Sequence, residues 1–149
     1  MGKLYVVPTP VGNLEDMTFR AIKVLKEADL ILAEDTRTSG ILLKHFEIKN
    51  VMQSHHKFNE HKTVESVVNR IKAGETIALI SDAGTPGISD PGFLVVRECV
   101  RNGIGAMFAG CYSFCSGIGC VGIAKREILF RRLFASEEGA HDKVKITGR

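Results

Sequence analysis

The segment from Ser81 to Gly92 has the composition of a loop that binds a ligand. It contains three glycines, two prolines and two aspartates, and it directly follows a hydrophobic run. Glycines let a backbone approach a ligand closely, and a helix beginning near Pro91 would offer free N–H groups to an anion. No Gly-Lys-Ser or Gly-Lys-Thr triplet follows, so the pattern favours a carboxylate or a ribose over a nucleotide phosphate. The alternative is an ordinary tight loop.

A second rigid segment, from Pro8 to Leu14, follows the first hydrophobic run of the chain. Pro8 and Pro10 fix the backbone φ angle, and Gly12 is available for a positive φ. Taken alone, the segment is more typical of a structural turn than of a binding site. If it lies at the same edge of a sheet as the Ser81 segment, the two together favour a binding site.

The segment from Glu34 to Thr38 combines two acids, one arginine and two hydroxyl groups. One interpretation is a solvated loop with a local Asp–Arg pair, because surface ion pairs are common and weak. The other is a site in which Arg37 or the acids orient a polar substrate, with an acid as proton acceptor.

A polar stretch over residues 54–62 holds three histidines and two lysines. Adjacent histidines rarely converge on one ion, so no metal site is predicted. Lys57, Asn59 and Lys62 lie beside Phe58, a pattern typical of nucleic-acid contact, since cations meet phosphates and an aromatic ring stacks on a base. A solvated loop is the equally open alternative.

Hydrophobic periodicity predicts the elements that position these segments. Strands are predicted over residues 4–7, 30–33, 51–52 and 76–80. Helices are predicted after Gly12 with Asp16 as N-cap, over residues 39–46, over a segment that ends before Gly74, and over residues 93–100. The first helix would bury Phe19, Ile22, Val24, Leu25 and Ala28, and the third would bury Val64, Val67, Val68 and Ile71.

Strands that alternate with helices predict an α/β fold with a mainly parallel sheet flanked by helices. The polar loops after the first, second and fourth strands would then share one edge of the sheet. From Gly105 onward, closely spaced glycines leave no clean helix or strand pattern until Ile128.

The composition is that of a folded domain. The chain has 149 residues, of which 44% are hydrophobic and 25% charged, and its net charge is +3. These values exclude wholesale disorder and are compatible with an RNA partner. No apolar run is long enough for a membrane span, and the start of the sequence lacks the hydrophobic region of a signal peptide. We therefore expect a soluble, cytoplasmic protein.

Four ordered segments resemble the signatures of a known family: VVPTPVGNLEDMT, ILAEDTRTSG, SHHKFNEHK and SDAGTPGISDPG. They are similar to those of the ribosomal RNA small-subunit methyltransferase I family, in the tetrapyrrole-methylase-like class of S-adenosylmethionine enzymes. The resemblance covers about residues 3 to 104. It implies transfer of a methyl group from S-adenosylmethionine to the 2′-oxygen of a cytidine in 16S rRNA. It also implies a two-domain homodimer with the cofactor between the domains.

The resemblance assigns roles by motif position. Residues implied to line the cofactor are Pro10, Ser81, Asp82, Ala83, Gly84, Thr85, Pro86, Ile88 and Asp90. Residues implied to face the RNA are Glu34, Thr36, Arg37, Thr38, His56, Lys57, Asn59 and Lys62. Asp35 is the first candidate for the proton acceptor and His55 the second.

Two other functions are compatible with the same motifs. One is a non-catalytic module that binds the cofactor or RNA, and the other is a methylase acting on a carbon of a tetrapyrrole. The segments from Glu34 to Thr38 and from His55 to Lys62 match the ribosomal branch and argue against the tetrapyrrole branch.

The sequence departs from the family after about residue 104. Family members continue with a strand and a Leu-Pro-Gly-Ala motif, and this chain lacks that motif. If the codons for residues 109–114 are GCC GGG TGC TAC AGC TTT, starting one base later encodes Pro-Gly-Ala-Thr-Ala-Phe. We therefore expect residues 1–104 to form the cofactor-binding domain and residues 105–149 to be an out-of-frame tail, with the second domain absent and the methyltransferase activity impaired. The alternative is a divergent C-terminus.

Overall fold

A computed structural model describes residues 2–56, 60–86 and 92–110 of the chain. Its strands are β1 (Lys3–Val6), β2 (Leu30–Ala33), β3 (Met52–Ser54), β4 (Thr76–Ile80) and β5 (Ala106–Phe108). Its helices are α1 (Phe19–Glu27), α2 (Thr36–His45), α3 (Glu60–Lys72) and α4 (Gly92–Arg101). A single 3₁₀ turn over Leu14–Asp16 precedes α1. No helix within this described part is long and apolar enough to cross a membrane.

The five strands form one parallel sheet in the order β3-β2-β4-β1-β5. In the register, Ile77 of β4 lies opposite both Leu4 of β1 and Leu30 of β2. Every residue of β2 is buried, as is expected for a central strand covered on both faces. The predicted α/β class with a mainly parallel sheet is confirmed.

Side-chain caps determine where two of the helices begin. Thr18 accepts a hydrogen bond from the Ala21 N–H and caps α1, so the prediction of Asp16 as the cap is wrong. Asp16 lies in the preceding 3₁₀ turn instead. Asp35 caps α2, which therefore begins three residues earlier than predicted. At the C-terminal end of α3, Gly74 adopts a φ of +111°, as its predicted capping role requires.

The core lies between the sheet and the helices. One cluster of buried side chains contains Leu25 of α1, Ile31 of β2, Leu43 of α2 and Ile80 of β4. Phe19 was predicted to belong to the buried face of α1, but it is 94% exposed. Phe19 is the first residue of α1. The apolar pattern in the sequence begins there, but the buried face of the helix begins one turn later and includes Leu25.

Strand β5 was not predicted. It pairs in parallel with β1, placing Met107 opposite Tyr5, and the Ala109 N–H donates to the Val6 carbonyl at 3.0 Å. A three-residue edge strand is too short to show a period of two, and backbone hydrogen bonds hold it in place. The described sheet therefore continues past residue 104.

Candidate functional site

Backbone hydrogen bonds join the loops after β1 and β4. The Thr9 N–H donates to the Gly84 carbonyl at 2.8 Å, and the Gly84 N–H donates to the Thr9 carbonyl at 3.0 Å. This reciprocal pair is an isolated antiparallel bridge at the carboxyl ends of two adjacent parallel strands. The segment that begins at Pro8 and the segment that begins at Ser81 thus meet at one edge, as the sequence predicts.

A third loop joins the other two through Asp82. Its Oδ1 accepts a hydrogen bond from the Asp35 N–H at 3.1 Å, although the two residues are 47 positions apart. Since β2 and β4 are neighbours in the sheet, the loop containing Glu34 to Thr38 lies beside the Ser81 loop. The structure therefore brings together the segments implied to bind the cofactor and one segment implied to face the RNA.

The start of the Ser81 loop presents both buried and exposed groups. Ser81 is 5% exposed, and its hydroxyl donates to the carbonyls of Ala83 at 3.3 Å or Gly84 at 3.4 Å. Asp82 and Ala83 are exposed, Thr85 is half-buried and Pro86 is buried. Gly84 has a φ of +84°, which disfavours any residue with a side chain.

The backbone at Gly84 is also open to a ligand. A Cβ atom built there would meet only Val11 Cγ2, at 3.8 Å, among the described residues. Pro10, across the bridge from this loop, is half-buried. The arrangement leaves open space at the Gly84 backbone beside the exposed Asp82 carboxylate, which suits a polar ligand that carries positive charge.

Sequence reasoning missed Thr9. It is 6% exposed, and its hydroxyl donates to the Ser81 carbonyl at 3.0 Å, with the Gly84 carbonyl at 3.4 Å. The available signal was a hydroxyl residue between two prolines, where the backbone direction is fixed before folding. Nothing in the sequence shows that its partner lies more than 70 residues away.

Asp35 is both the N-cap of α2 and the partner of Arg37. Its Oδ1 accepts hydrogen bonds from the Arg37 N–H at 2.8 Å and from Nε at 3.2 Å, and Oδ2 accepts from a terminal guanidinium nitrogen at 2.9 Å. These hydrogen bonds, above all those of the side chain, lower the pKa of the Asp35 carboxyl below its usual 3.8. The same pairing raises the pKa of Arg37. An acid held in this way is a weak proton acceptor.

The lowered pKa of Asp35 makes a prediction about stability against acid. A depressed carboxyl pKa contributes stability above its unfolded value, and this contribution is lost as pH falls through the folded value. We expect the difference in unfolding free energy between wild type and Asp35→Asn to be constant between about pH 5 and 7 and to shrink below about pH 4. Urea denaturation across this range measures it, with Asp16→Asn as control. A difference that stays constant into the acid range would contradict the assignment.

The remaining predicted residues of this loop surround Asp35. Glu34 and Thr36 are half-buried, and Thr38 is exposed. The Arg37 side chain is 90% exposed even though it pairs with Asp35. Exposed ion pairs are weak, so the guanidinium is available to exchange its carboxylate partner for another anion.

His55 lies beneath the surface rather than on it. It follows β3, the residue is 1% exposed, and its backbone N–H donates to the Ala33 carbonyl at 2.8 Å. His56 is half-buried. Lys57, Asn59, Ile88 and Asp90 lie outside the described residues, as does the side chain of Lys62. No group of three or more metal-ligating side chains occurs among the residues that are described.

A groove of about 480 Å³ lies between α3 and α4. Lys72, Arg97 and Glu98 are among its lining residues, and none of the lining residues belongs to the loops described above. Its opposite charges neutralise one another, so its electrostatics favour neither an anion nor a cation.

Comparison with known proteins identifies the family of this fold. The model of the tetrapyrrole (corrin/porphyrin) methylases matches residues 3–115. The chain belongs to this family. This tetrapyrrole methylase family member also has the fold of a uroporphyrin-III-C-methyltransferase from Thermus thermophilus. The TM-score is 0.58 at 20% identity, over 73% of this chain and 47% of the other. A second structure of that enzyme, in its native form, gives a TM-score of 0.56 at 20% identity, over 73% of this chain and 48% of the other.

Several curated relatives of this family member carry one name, "Ribosomal RNA small subunit methyltransferase I". The protein from Haemophilus influenzae is 53% identical over 103 residues, which are 69% of this chain and 36% of the relative. The Thermotoga maritima protein is 51% identical over 104 residues, 70% of this chain and 47% of the relative. The Buchnera aphidicola protein is 51% identical over 98 residues, which are 66% of this chain and 34% of the relative. The chain thus spans between 34% and 47% of the length of these relatives.

Proposed function

We propose that this chain is the S-adenosylmethionine-binding part of a methyltransferase that acts on the 2′-oxygen of a cytidine in 16S rRNA. The observation that supports this most is an identity of 51% to 53% to relatives named as small-subunit rRNA methyltransferases. Such a substrate would place the reaction in the cytoplasm. Homodimer formation, with the cofactor between two domains, is part of the same proposal.

The described residues fit the proposed cofactor. S-adenosylmethionine supplies, when bound, a methyl group already activated by a positively charged sulfur. The exposed Asp82 carboxylate attracts positive charge, and the open backbone beside Gly84 allows close approach. The same side of the proposed cofactor site includes Ala83, Thr85 and Pro86. Pro10 lies across the Thr9–Gly84 bridge from them. Ile88 and Asp90, beyond the described part of the loop, are proposed to complete it.

The loop after β2 is proposed to face the RNA. The exposed Arg37 guanidinium is suited to a backbone phosphate, and the Thr38 hydroxyl to a phosphate or a ribose. When Arg37 binds a phosphate, it releases the Asp35 carboxylate, whose pKa then returns toward its usual value of 3.8. In this proposal Asp35 is a better proton acceptor once the RNA has engaged the Arg37 side chain. His55, which is buried and whose backbone N–H donates to the Ala33 carbonyl, is the second candidate for the proton acceptor.

The first test of this function is methyl transfer. The chain is incubated with radiolabelled S-adenosylmethionine and small ribosomal subunits that lack the modification. We expect label on a ribose 2′-oxygen, at an impaired rate because the proposed loss of the second domain removes one wall of the cofactor site. Cofactor binding without label on RNA would support the non-catalytic module instead. Label on a tetrapyrrole precursor offered in parallel would support the tetrapyrrole branch, and absence of cofactor binding would contradict the proposal.

Two aspartates that lie at opposite ends of the strands, and that each accept one backbone N–H, provide a test of the role of Asp82. Asp82 accepts the Asp35 N–H at one end, and Asp29 accepts the Thr76 N–H at the other. We expect Asp82→Ala to raise the dissociation constant of S-adenosylmethionine by roughly fivefold, about 1 kcal/mol, because it removes both the charge and the link to α2. Asp29→Ala, the matched control, should leave it unchanged in calorimetry. Equal affinities for the two variants would exclude Asp82 from the site.

The tail is proposed to arise from a shift in reading frame, with residues 1–104 as the cofactor-binding domain. The nucleotide sequence around the codons for Ile104 and Gly105, continued past the codon for Arg149, tests this. A shift of one base should restore a frame that encodes Leu-Pro-Gly-Ala and a second domain. If no frame does so, the tail is a genuine divergent C-terminus and the proposal fails.

A further inference from the structure

We propose that Thr9 is a positioning residue, whose hydroxyl holds the Ser81–Gly84 loop in the shape that receives the cofactor. This inference rests on the proposed function, because it concerns the loop assigned there to S-adenosylmethionine. Thr9 itself need not touch the ligand. It acts through two carbonyl groups of the loop.

The first support is the set of hydrogen bonds that Thr9 makes. Its hydroxyl donates to the Ser81 carbonyl at 3.0 Å, with the Gly84 carbonyl at 3.4 Å, and its backbone forms the reciprocal bridge to Gly84. One residue thus binds both ends of the four-residue loop. At 6% exposure, the hydroxyl is shielded from competing water, which strengthens these bonds.

The second support is that the loop has weak internal restraints. The Ser81 hydroxyl reaches the Ala83 and Gly84 carbonyls only at 3.3 and 3.4 Å. Asp82 and Ala83 are exposed, and Gly84 has more accessible backbone conformations than any other residue type. A loop of this kind loses conformational entropy when it binds a ligand, and an external clamp reduces that loss.

The third support is that Thr9 is itself held rigidly. The Val7 N–H donates to the Leu79 carbonyl at 2.9 Å, which extends the pairing of β1 with β4 up to the Pro8–Pro10 segment. On the other side, Gly110 packs so closely that a Cβ atom there would lie 3.1 Å from Pro8 Cδ. The chain immediately before Thr9 is therefore fixed from both neighbouring strands, and the hydrogen bonds of Thr9 transmit this rigidity to the loop.

Removing the hydroxyl alone tests the clamp. Thr9→Val keeps the shape of the side chain, and calorimetry on the full chain should show a dissociation constant for S-adenosylmethionine raised by about fivefold. Amide hydrogen exchange without cofactor should be faster at residues 82–85. Thr9→Ser keeps the hydroxyl and should restore both values. Thr18→Val, the control, removes the hydroxyl that caps α1 and should lower the melting temperature without changing affinity.

The outcomes separate this inference from the proposed function. If the wild type binds the cofactor and Thr9→Val binds it equally well, the inference is overturned and the proposed function stands. If Thr9→Ser binds as weakly as Thr9→Val, the hydroxyl is not the determinant, and the inference is again overturned. If Thr9→Val fails to fold, Thr9→Ala decides instead, because it also removes the hydroxyl and puts no methyl group in its place. If the wild type itself does not bind, the proposed function fails, and the inference fails with it.

Discussion

Replacement of Gly84 by valine is expected to raise the dissociation constant of S-adenosylmethionine by about five- to thirtyfold. The backbone φ of +84° is costly for an L-residue and more so for a β-branched one, by about 1–2 kcal/mol. The loop relieves this strain by leaving the conformation that is bridged to Thr9, so the binding-competent fraction falls by the corresponding factor. Calorimetric titration measures the change.

Gly103 provides the matched control for this substitution. It follows α4 and has a φ of +71°, and a Cβ atom added there would meet none of the described atoms within 4 Å. Gly103→Val therefore introduces similar backbone strain at a helix end, away from the three loops. It should lower the unfolding free energy while leaving cofactor affinity at the wild-type value. A similar loss of affinity in both variants would show that general destabilisation, not the loop, is responsible.

Truncation of Ile31 is expected to have the largest effect on folding. Ile31 is completely buried in β2, between Met52 of β3 and Ala78 of β4 in the register, and it belongs to the main core cluster. Ile31→Ala should lower the unfolding free energy by about 2–5 kcal/mol, because it removes buried methyl groups and leaves a cavity in a layer that helices cover. Urea denaturation followed by circular dichroism measures this loss.

Ile41 allows the same substitution on a surface. It lies on α2 and is 71% exposed, so Ile41→Ala should change the unfolding free energy by no more than about 0.5 kcal/mol. Comparable losses from the two variants would show that β2 is not the centre of the core. The comparison also bears on the site, because β2 leads directly into Glu34 and Asp35.

Most of the regular structure could be predicted because burial produces periodic sequence. The run at residues 76–80 is apolar on both faces, as a central parallel strand must be, and β4 has these bounds. The apolar stripe of the third helix and the glycine after it likewise predicted α3 and its end. Errors fall where periodicity carries no information: at the cap of α1, at the exposed Phe19, and in the three-residue strand β5.

The sequence by itself determined the α/β class, the order of its main elements and the family to which its motifs belong. It also determined that three polar loops follow strands of one parallel sheet, because alternation of strands and helices leaves few topologies. Only the tertiary structure decided that Thr9 clamps Gly84, that Asp82 holds the Asp35 N–H, and that Arg37 occupies the Asp35 carboxylate. The first two pairings join positions far apart in the chain, and the third depends on a side-chain conformation. Hydrogen-bond geometry of this kind is set by the packed fold, and local sequence patterns do not encode it.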